Sequence, residues 1–345
     1  MIDTKSNNIF IDPSSSEYYE NRLFDQTNLV LNRDDTLAPF IRLQVSLKDQ
    51  GVGLYTADCL PKLTGQGQTS DYFSLGVIKN YEQLSVRDDV RLRAFVVFEP
   101  PVVAPSLYRA LPELTAAFER VFVHNTIGDG YSLIGIDPSK LRKLYWPQPY
   151  LGTVDKFWSK TDRMNRVVVI NGNHKPQIFM GELYSKRIEA MVALANLGAV
   201  DLYGRGWERW WARNSLWTPY WLNRRKLMSI FRGECLSKHE TLSHYRYCLC
   251  FENMEMKGYV TEKIFDCLYV GTIPLYWGAS DIESLIPSEA YIDARKFSSW
   301  EDMWLEVNSM SAYKVNSMRE AGRQFLNSND FIKYYNSFQD IVLQG

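Results

Sequence analysis

Short apolar runs bounded by polar and turn residues alternate along this chain with stretches whose apolar positions recur every three or four residues, the signature of strands alternating with helices. In the first half the pattern predicts strands over 28–31, 53–55, 92–98 and 120–123 and helices over 39–48 and 108–118. Periodicity is lost over 146–165, where Pro147, Pro149 and Gly152 precede mixed charges. That break predicts a connection between two domains, 1–155 and 156–345, with the last helices able to pack back on the first. The rhythm restarts with strands over 167–170, 200–203, 247–251, 272–277 and 291–293 and helices over 183–197, 239–245 and 261–270, followed by C-terminal helices. The expected fold is therefore α/β, with two doubly wound parallel sheets. In such sheets ligands bind beyond the carboxyl ends of the strands, which directs attention to the residues that follow each strand.

The run from Phe251 to Lys263 leaves a buried strand, crosses a loop at Gly258 and enters a helix with Thr261 at the N-cap. Ile264, Phe265 and Leu268 share one face of that helix, which puts Glu262 and Lys263 in its first turn. A lysine there opposes the helix dipole at a cost of about 0.3–1 kcal/mol, and a bound anion reverses the sign. Unpaired backbone N–H groups, the dipole and the ammonium would together make a phosphate site, while Glu262 would suit the vicinal hydroxyls of a ribose. Read by itself, such a pair is more often a solvated surface pair. The phosphate reading also requires that no protein carboxylate neutralise Lys263. Arg187, early in its helix, reads alone as a surface arginine, and Lys175 and Lys186 as solvated lysines.

Composition narrows the field. With 345 residues, 46% hydrophobic and 23% charged, the chain is an ordinary globular one, and its formal charge of −1 gives no overall pull on nucleic acid. The first eight residues lack the order of a signal peptide and no run of about 18 apolar residues occurs, so a cytoplasmic location is expected. Five cysteines without a CxxC pair, and four scattered histidines, predict reduced core thiols and no protein-held metal.

The stretches FEN, GYVTEK, GTIPLYWG and YIDARKF, between Tyr247 and Phe297, resemble the donor-binding region of the α-1,3/1,4-fucosyltransferases, glycosyltransferase family 10 of bacterial type. The resemblance implies a GT-B architecture, two Rossmann-like domains facing across a cleft. It also implies inverting transfer of fucose from GDP-fucose to a hydroxyl of an oligosaccharide or lipid-linked glycan. On that pattern Tyr259, Glu262 and Lys263 contact GDP-fucose, with Asn253 and Thr261 beside them. VVVINGN, SKRIEAMVAL and VDLYG extend the resemblance and assign Arg187 to the donor diphosphate, for which a planar bidentate guanidinium is suited. FEPPVVAP resembles the segment bearing the catalytic glutamate and makes Glu99 the base; beside Phe98 and Val102 its carboxylate would lose hydration and rise in pKa. No cofactor is implied beyond the GDP-fucose donor, with a divalent cation at most stimulatory. Met254, where relatives often carry serine, and Glu255-Met256-Lys257 depart from the common pattern.

Two other functions stay open: transfer of a different GDP-linked deoxysugar, and nucleotide-sugar binding without turnover. Between Gly204 and Arg232 lie Trp207, Trp210, Trp211, Trp217 and Trp221, interleaved with Arg205, Arg209, Arg213, Arg224, Arg225, Lys226 and Arg232. These could stack on sugars, sit at a membrane interface, or pack beneath an insertion, and packing is the favoured reading. A membrane-associated scaffold would follow from the second.

Overall fold

The computed structural model describes residues 8–60, 69–212 and 215–343. The chain divides into two compact units: the residues up to Tyr150 with those from Ile332 onward, and Leu151–Phe331.

In the first unit, β1 (Asn8–Asp12), helix α1 (Ala38–Lys48), β2 (Gly53–Thr56), β3 (Ser70–Ser74), β4 (Val90–Val96), β5 (Arg120–Val123) and β6 (Leu141–Lys143) build a six-stranded sheet in the order β2-β1-β3-β4-β5-β6. All its pairings are parallel. Side chains alternate across a strand, so β1 sends Ile9 and Ile11 into one core and Phe10 into the other. β4 with the residue after it divides Ala94 and Val96 from Phe95 and Val97 in the same way. Both faces are thus covered, as a parallel sheet requires. The C-terminal helix Ser337–Leu343 contributes Phe338, Ile341 and Val342 to the first of these cores.

The second unit has a five-stranded parallel sheet in the order β11-β10-β9-β7-β8. Its strands are β7 (Met164–Ile170), β8 (Val200–Tyr203), β9 (Tyr245–Phe251), β10 (Ile273–Trp277) and β11 (Ile292–Asp293). From β7 the chain moves outward to β8, then crosses to β9 on the other side. The order therefore reverses between β7 and β9, and a crevice opens there at the carboxyl ends.

Two expectations are corrected. Residues 28–31 form turns, not a strand: the Asn28 side chain accepts from the Leu31 N–H at 3.2 Å and its carbonyl from Asn32 at 2.8 Å, and Leu29 and Val30 are exposed. An asparagine closing on its own backbone offers an alternative to strand pairing. The helix expected over 108–118 is two helices, Pro105–Arg109 and Leu111–Ala117, because Pro112 lacks the N–H that an interior position needs and instead opens the second. All five cysteines are free thiols; Cys248, Cys250 and Cys267 are buried, Cys59 is half-buried and packs against the core that holds Phe10, and Cys235 is half-buried. Among the described residues no helix is long and apolar enough to cross a membrane, and no group of three or more His, Cys, Asp or Glu is placed to hold a metal.

Candidate functional site

The crevice between β7 and β9 is bordered by α2 (Tyr184–Asn196), which follows β7, and by α4 (Glu262–Val270), which follows β9. Between them in the chain lie the helix Thr218–Ile230, here α3, and the short helix Lys238–Ser243. α4 forms where the sequence predicts it. Thr261 caps it, its hydroxyl accepting from the Lys263 N–H at 3.4 Å, and Gly271 closes it in the left-handed region, with φ of 74°. Ile264, Phe265 and Leu268 are buried beneath it, each worth about 1.5–3 kcal/mol, so the start of α4 is anchored by its own core face.

Glu252, immediately after β9, organises this corner. Its carboxylate is fully buried and accepts from the Thr261 N–H at 2.9 Å, the Thr261 hydroxyl at 2.9 Å and the Lys263 ammonium at 2.8 Å. Its carbonyl and that of Phe251 accept from the Arg187 guanidinium at 3.0 and 2.7 Å. Arg187 is therefore buried rather than a surface arginine, and burial lowers its pKa. Lys263 also donates to the Thr261 hydroxyl at 3.1 Å. With three ammonium hydrogens and two bonds made, one hydrogen remains, and a quarter of the side chain is exposed.

The requirement that no protein carboxylate neutralise Lys263 is not met, and the phosphate reading built on an uncompensated ammonium is corrected. The lysine does not wait for a ligand to neutralise it, because Glu252 does so, and the N–H groups of Thr261 and Lys263 are taken by side chains. Burial works against the Lys263 ammonium, but Glu252 and then Glu262 outweigh it and raise its pKa. Glu262 is drawn to Lys238 at 3.3 Å; burial opposes its charge, and Lys238 and Lys263 overcome that to hold the carboxyl below its ordinary range. Lys238 also meets Asp266 at 3.1 Å, and His239 meets Asp266 at 3.0 Å. Asp266 is held down to about 2, against burial, chiefly by Lys238. Three cations, Arg187, Lys238 and Lys263, face three carboxylates, Glu252, Glu262 and Asp266. Any grip on a phosphate must come from directed donors and not from surplus charge.

Among the other candidates, Asn253 is half-buried and its carbonyl accepts from the Leu183 N–H at 3.0 Å, which ties α2 to the end of β9. Tyr259 is almost wholly buried, which limits the contact its ring can offer a solvent-borne ligand. Lys175 donates to Ser215 at 3.0 Å, and Lys186 pairs with Glu189 at 2.9 Å on the surface. A cavity of about 40 Å³ lies below, lined by Arg187, Lys238, Lys263, Asp266 and the three buried thiols.

Glu99, in the first unit, follows β4 by three residues and is exposed, so the expected loss of hydration around its carboxylate does not occur. The loop it belongs to is nonetheless fixed: His124 Nε2 lies 2.7 Å from the Phe98 carbonyl, Phe98 packs edge-on to Trp146, and the Val103 N–H donates to Pro100 at 2.9 Å.

Sequence reasoning missed Glu252, Lys238, Asp266 and His239. One signal was available: Glu262 and Asp266 stand at i and i+4, a like-charge spacing that calls for a cation between them. Glu252 depends on a contact distant in sequence. A methyl at Gly278, after β10, would lie 2.5 Å from the Glu252 Cγ and clash with the Tyr276 hydroxyl. Gly278→Ala is expected to lower stability by about 1–3 kcal/mol, measured by denaturant unfolding, because neither neighbour is a loose surface group.

The family described as glycosyltransferase family 10 (fucosyltransferase), C-terminal, matches residues 162–319. Over 65 residues the chain is 40% identical to an α-(1,4)-fucosyltransferase of Arabidopsis thaliana, and over 66 residues 38% identical to an α-(1,3)-fucosyltransferase of Helicobacter pylori. Each match covers 19% of this chain, and only 16% and 14% of those relatives. Among solved structures, an α1,3-fucosyltransferase aligns with a TM-score of 0.52 at 15% identity, covering 100% of this chain and 92% of the other. A glycosyltransferase from Rickettsia africae aligns at 0.53 and 9% identity, covering 99% and 100%. These structural likenesses support the fold of two parallel-sheet α/β domains seen in GT-B glycosyltransferases. Residues 162–319, which hold the crevice between β7 and β9, therefore match the C-terminal domain of glycosyltransferase family 10, the fucosyltransferases.

Proposed function

We propose that the chain is an inverting fucosyltransferase that moves L-fucose from GDP-β-L-fucose to a hydroxyl of an acceptor glycan. The linkage would be α-1,3 or α-1,4 to a GlcNAc-type sugar. The observation that carries this reading is the position of Arg187 and Lys263, held on either side of Glu252 at the switch point of a family 10 domain. In this reading the second unit, Leu151–Phe331, binds the donor, and the first, which the C-terminal residues from Ile332 join, carries the acceptor and the base. Arg187 and the remaining hydrogen of Lys263 stabilise the charge that develops on the departing diphosphate, as preorganised donors do, with no metal required. Glu262 and Asn253 flank the nucleotide, and Glu99 accepts the proton of the acceptor hydroxyl.

The acceptor class that fits is an oligosaccharide or a lipid-linked glycan, met at the inner face of a membrane during bacterial surface-polysaccharide (lipopolysaccharide or O-antigen) synthesis or protein glycosylation. Calorimetry with GDP, followed by turnover across GDP-sugars and a glycan array, tests the reading. GDP is expected to bind, with Lys263→Met weakening it about tenfold to a hundredfold, the loss of one charge-assisted hydrogen bond. No heat with GDP would remove the assignment, and turnover confined to a different GDP-deoxysugar would replace fucose.

A further inference from the structure

The tryptophans of α3 and of the segment between β8 and α3 divide into two groups. Trp207 and Trp217 are buried, in keeping with packing, but Trp210, Trp211 and Trp221 are exposed together with Leu216, Leu222 and Leu236, from 47% for Trp211 to 92% for Leu236. Packing therefore accounts for two of the five. α3 buries Tyr220, Leu227 and Ile230 and turns outward Trp221, Leu222, Arg225 and Lys226, positions that share one face of a helix. The preceding loop is tied against it. The Tyr220 hydroxyl lies 2.5 Å from the carbonyl oxygens of Trp207 and Arg209, which share its one hydrogen, and Arg224 sits 4.3 Å over the Trp210 ring while donating to the Glu208 carbonyl at 2.9 Å.

Charge is concentrated on the same segment. Its described residues carry six cations, Arg205, Arg209, Arg224, Arg225, Lys226 and Arg232, against Glu208 and Glu234, an excess of four in a chain whose formal charge is −1. Among the described residues Arg209, Arg225 and Lys226 make no ion pair, so this charge faces solvent. A sugar acceptor would use the tryptophan faces but gains nothing from exposed leucines. A second copy of the chain would bring a like-charged patch against this one. Exposed tryptophan and leucine bordered by arginine and lysine suit the interface of an anionic bilayer, where apolar side chains enter the head-group layer and cations meet lipid phosphates.

We infer that the outward face of α3, with Trp210, Trp211 and Leu216, seats on an anionic lipid surface. This surface uses none of the residues of the donor site, so its failure and that of the donor reading are separately visible. The test is sedimentation of the full chain with phosphatidylcholine vesicles, with and without phosphatidylglycerol, alongside tryptophan emission. The expected result is binding to the anionic vesicles with a blue shift. That binding should fall about fivefold for each charge removed in Arg225→Gln and Lys226→Gln, and be lost in the double variant Trp221→Gln, Leu222→Gln. All four side chains are exposed, so the variants should melt as wild type does. Absence of wild-type binding to anionic vesicles, equal binding to neutral ones, or binding undiminished in the natively melting double variant overturns the inference. So would concentration-dependent self-association abolished by Leu222→Gln, or quenching of the exposed tryptophans by free glycan in place of lipid.

Discussion

Glu99→Gln is expected to reduce sugar transfer by about a hundredfold to ten-thousandfold, the range for a positioned general base, while leaving GDP affinity unchanged. Glutamine keeps the size of the side chain, so the loop fixed by His124, Trp146 and the Pro100 turn should hold its shape. The comparison separates chemistry from binding because the residues proposed to face GDP lie in the other unit. Steady-state turnover with GDP-fucose and calorimetry with GDP check both halves of the expectation. Since Glu99 is exposed, its role cannot lean on a dry surrounding and rests on its place after β4 and on the FEPPVVAP resemblance. Retained turnover would send the search for the base elsewhere in the first unit.

Glu252→Gln should have the largest effect on stability, about 3 kcal/mol. Breaking a buried ion pair by removing one partner costs about 3–5 kcal/mol, and the low end applies because a quarter of the Lys263 side chain is exposed to screening water. For a unit the size of Leu151–Phe331 that corresponds to a fall in melting temperature of roughly 6–12 °C. The pH dependence gives a second reading of the same pair. Lys263 has its pKa raised in the folded chain, so its contribution is complete below the ordinary lysine value and fades as pH climbs through the raised one. That alkaline loss should be present in wild-type melts and diminished in the variant. Identical melts at neutral pH would show that the pair does not support the fold.

Much of the second unit was legible in the sequence because its strands are buried on both faces. Runs such as those at Tyr245–Phe251 and Ile273–Trp277 carry few polar residues, and Thr261 and Gly271 mark the two ends of α4 by ordinary cap chemistry. The first unit was harder to read. β3, with the sequence SDYFS, and β6, with LRK, are short and polar, and only their neighbours in the sheet make them strands. Residues 28–31 showed the opposite error, since apolar composition lost to an asparagine turn. At the site, Arg187 and Lys263 were named from the chain, but their common partner was not. Glu252 is defined by the register of β9 on β10 and by the absence of a side chain at Gly278, neither of which a local window contains.

The helix Ser337–Leu343 places Phe338, Ile341 and Val342 in a core whose other members precede Tyr150. Vectorial synthesis therefore reverses the usual order of maturation. At about 5–20 residues per second the ribosome needs roughly 10–40 s to pass from Leu151 to that helix. During that interval the earlier half of the polypeptide waits with an uncovered apolar flank while the later half already has every strand it needs. Nascent chains of this protein would thus offer chaperones their N-terminal portion, and a premature stop after Phe331 would damage the region made first.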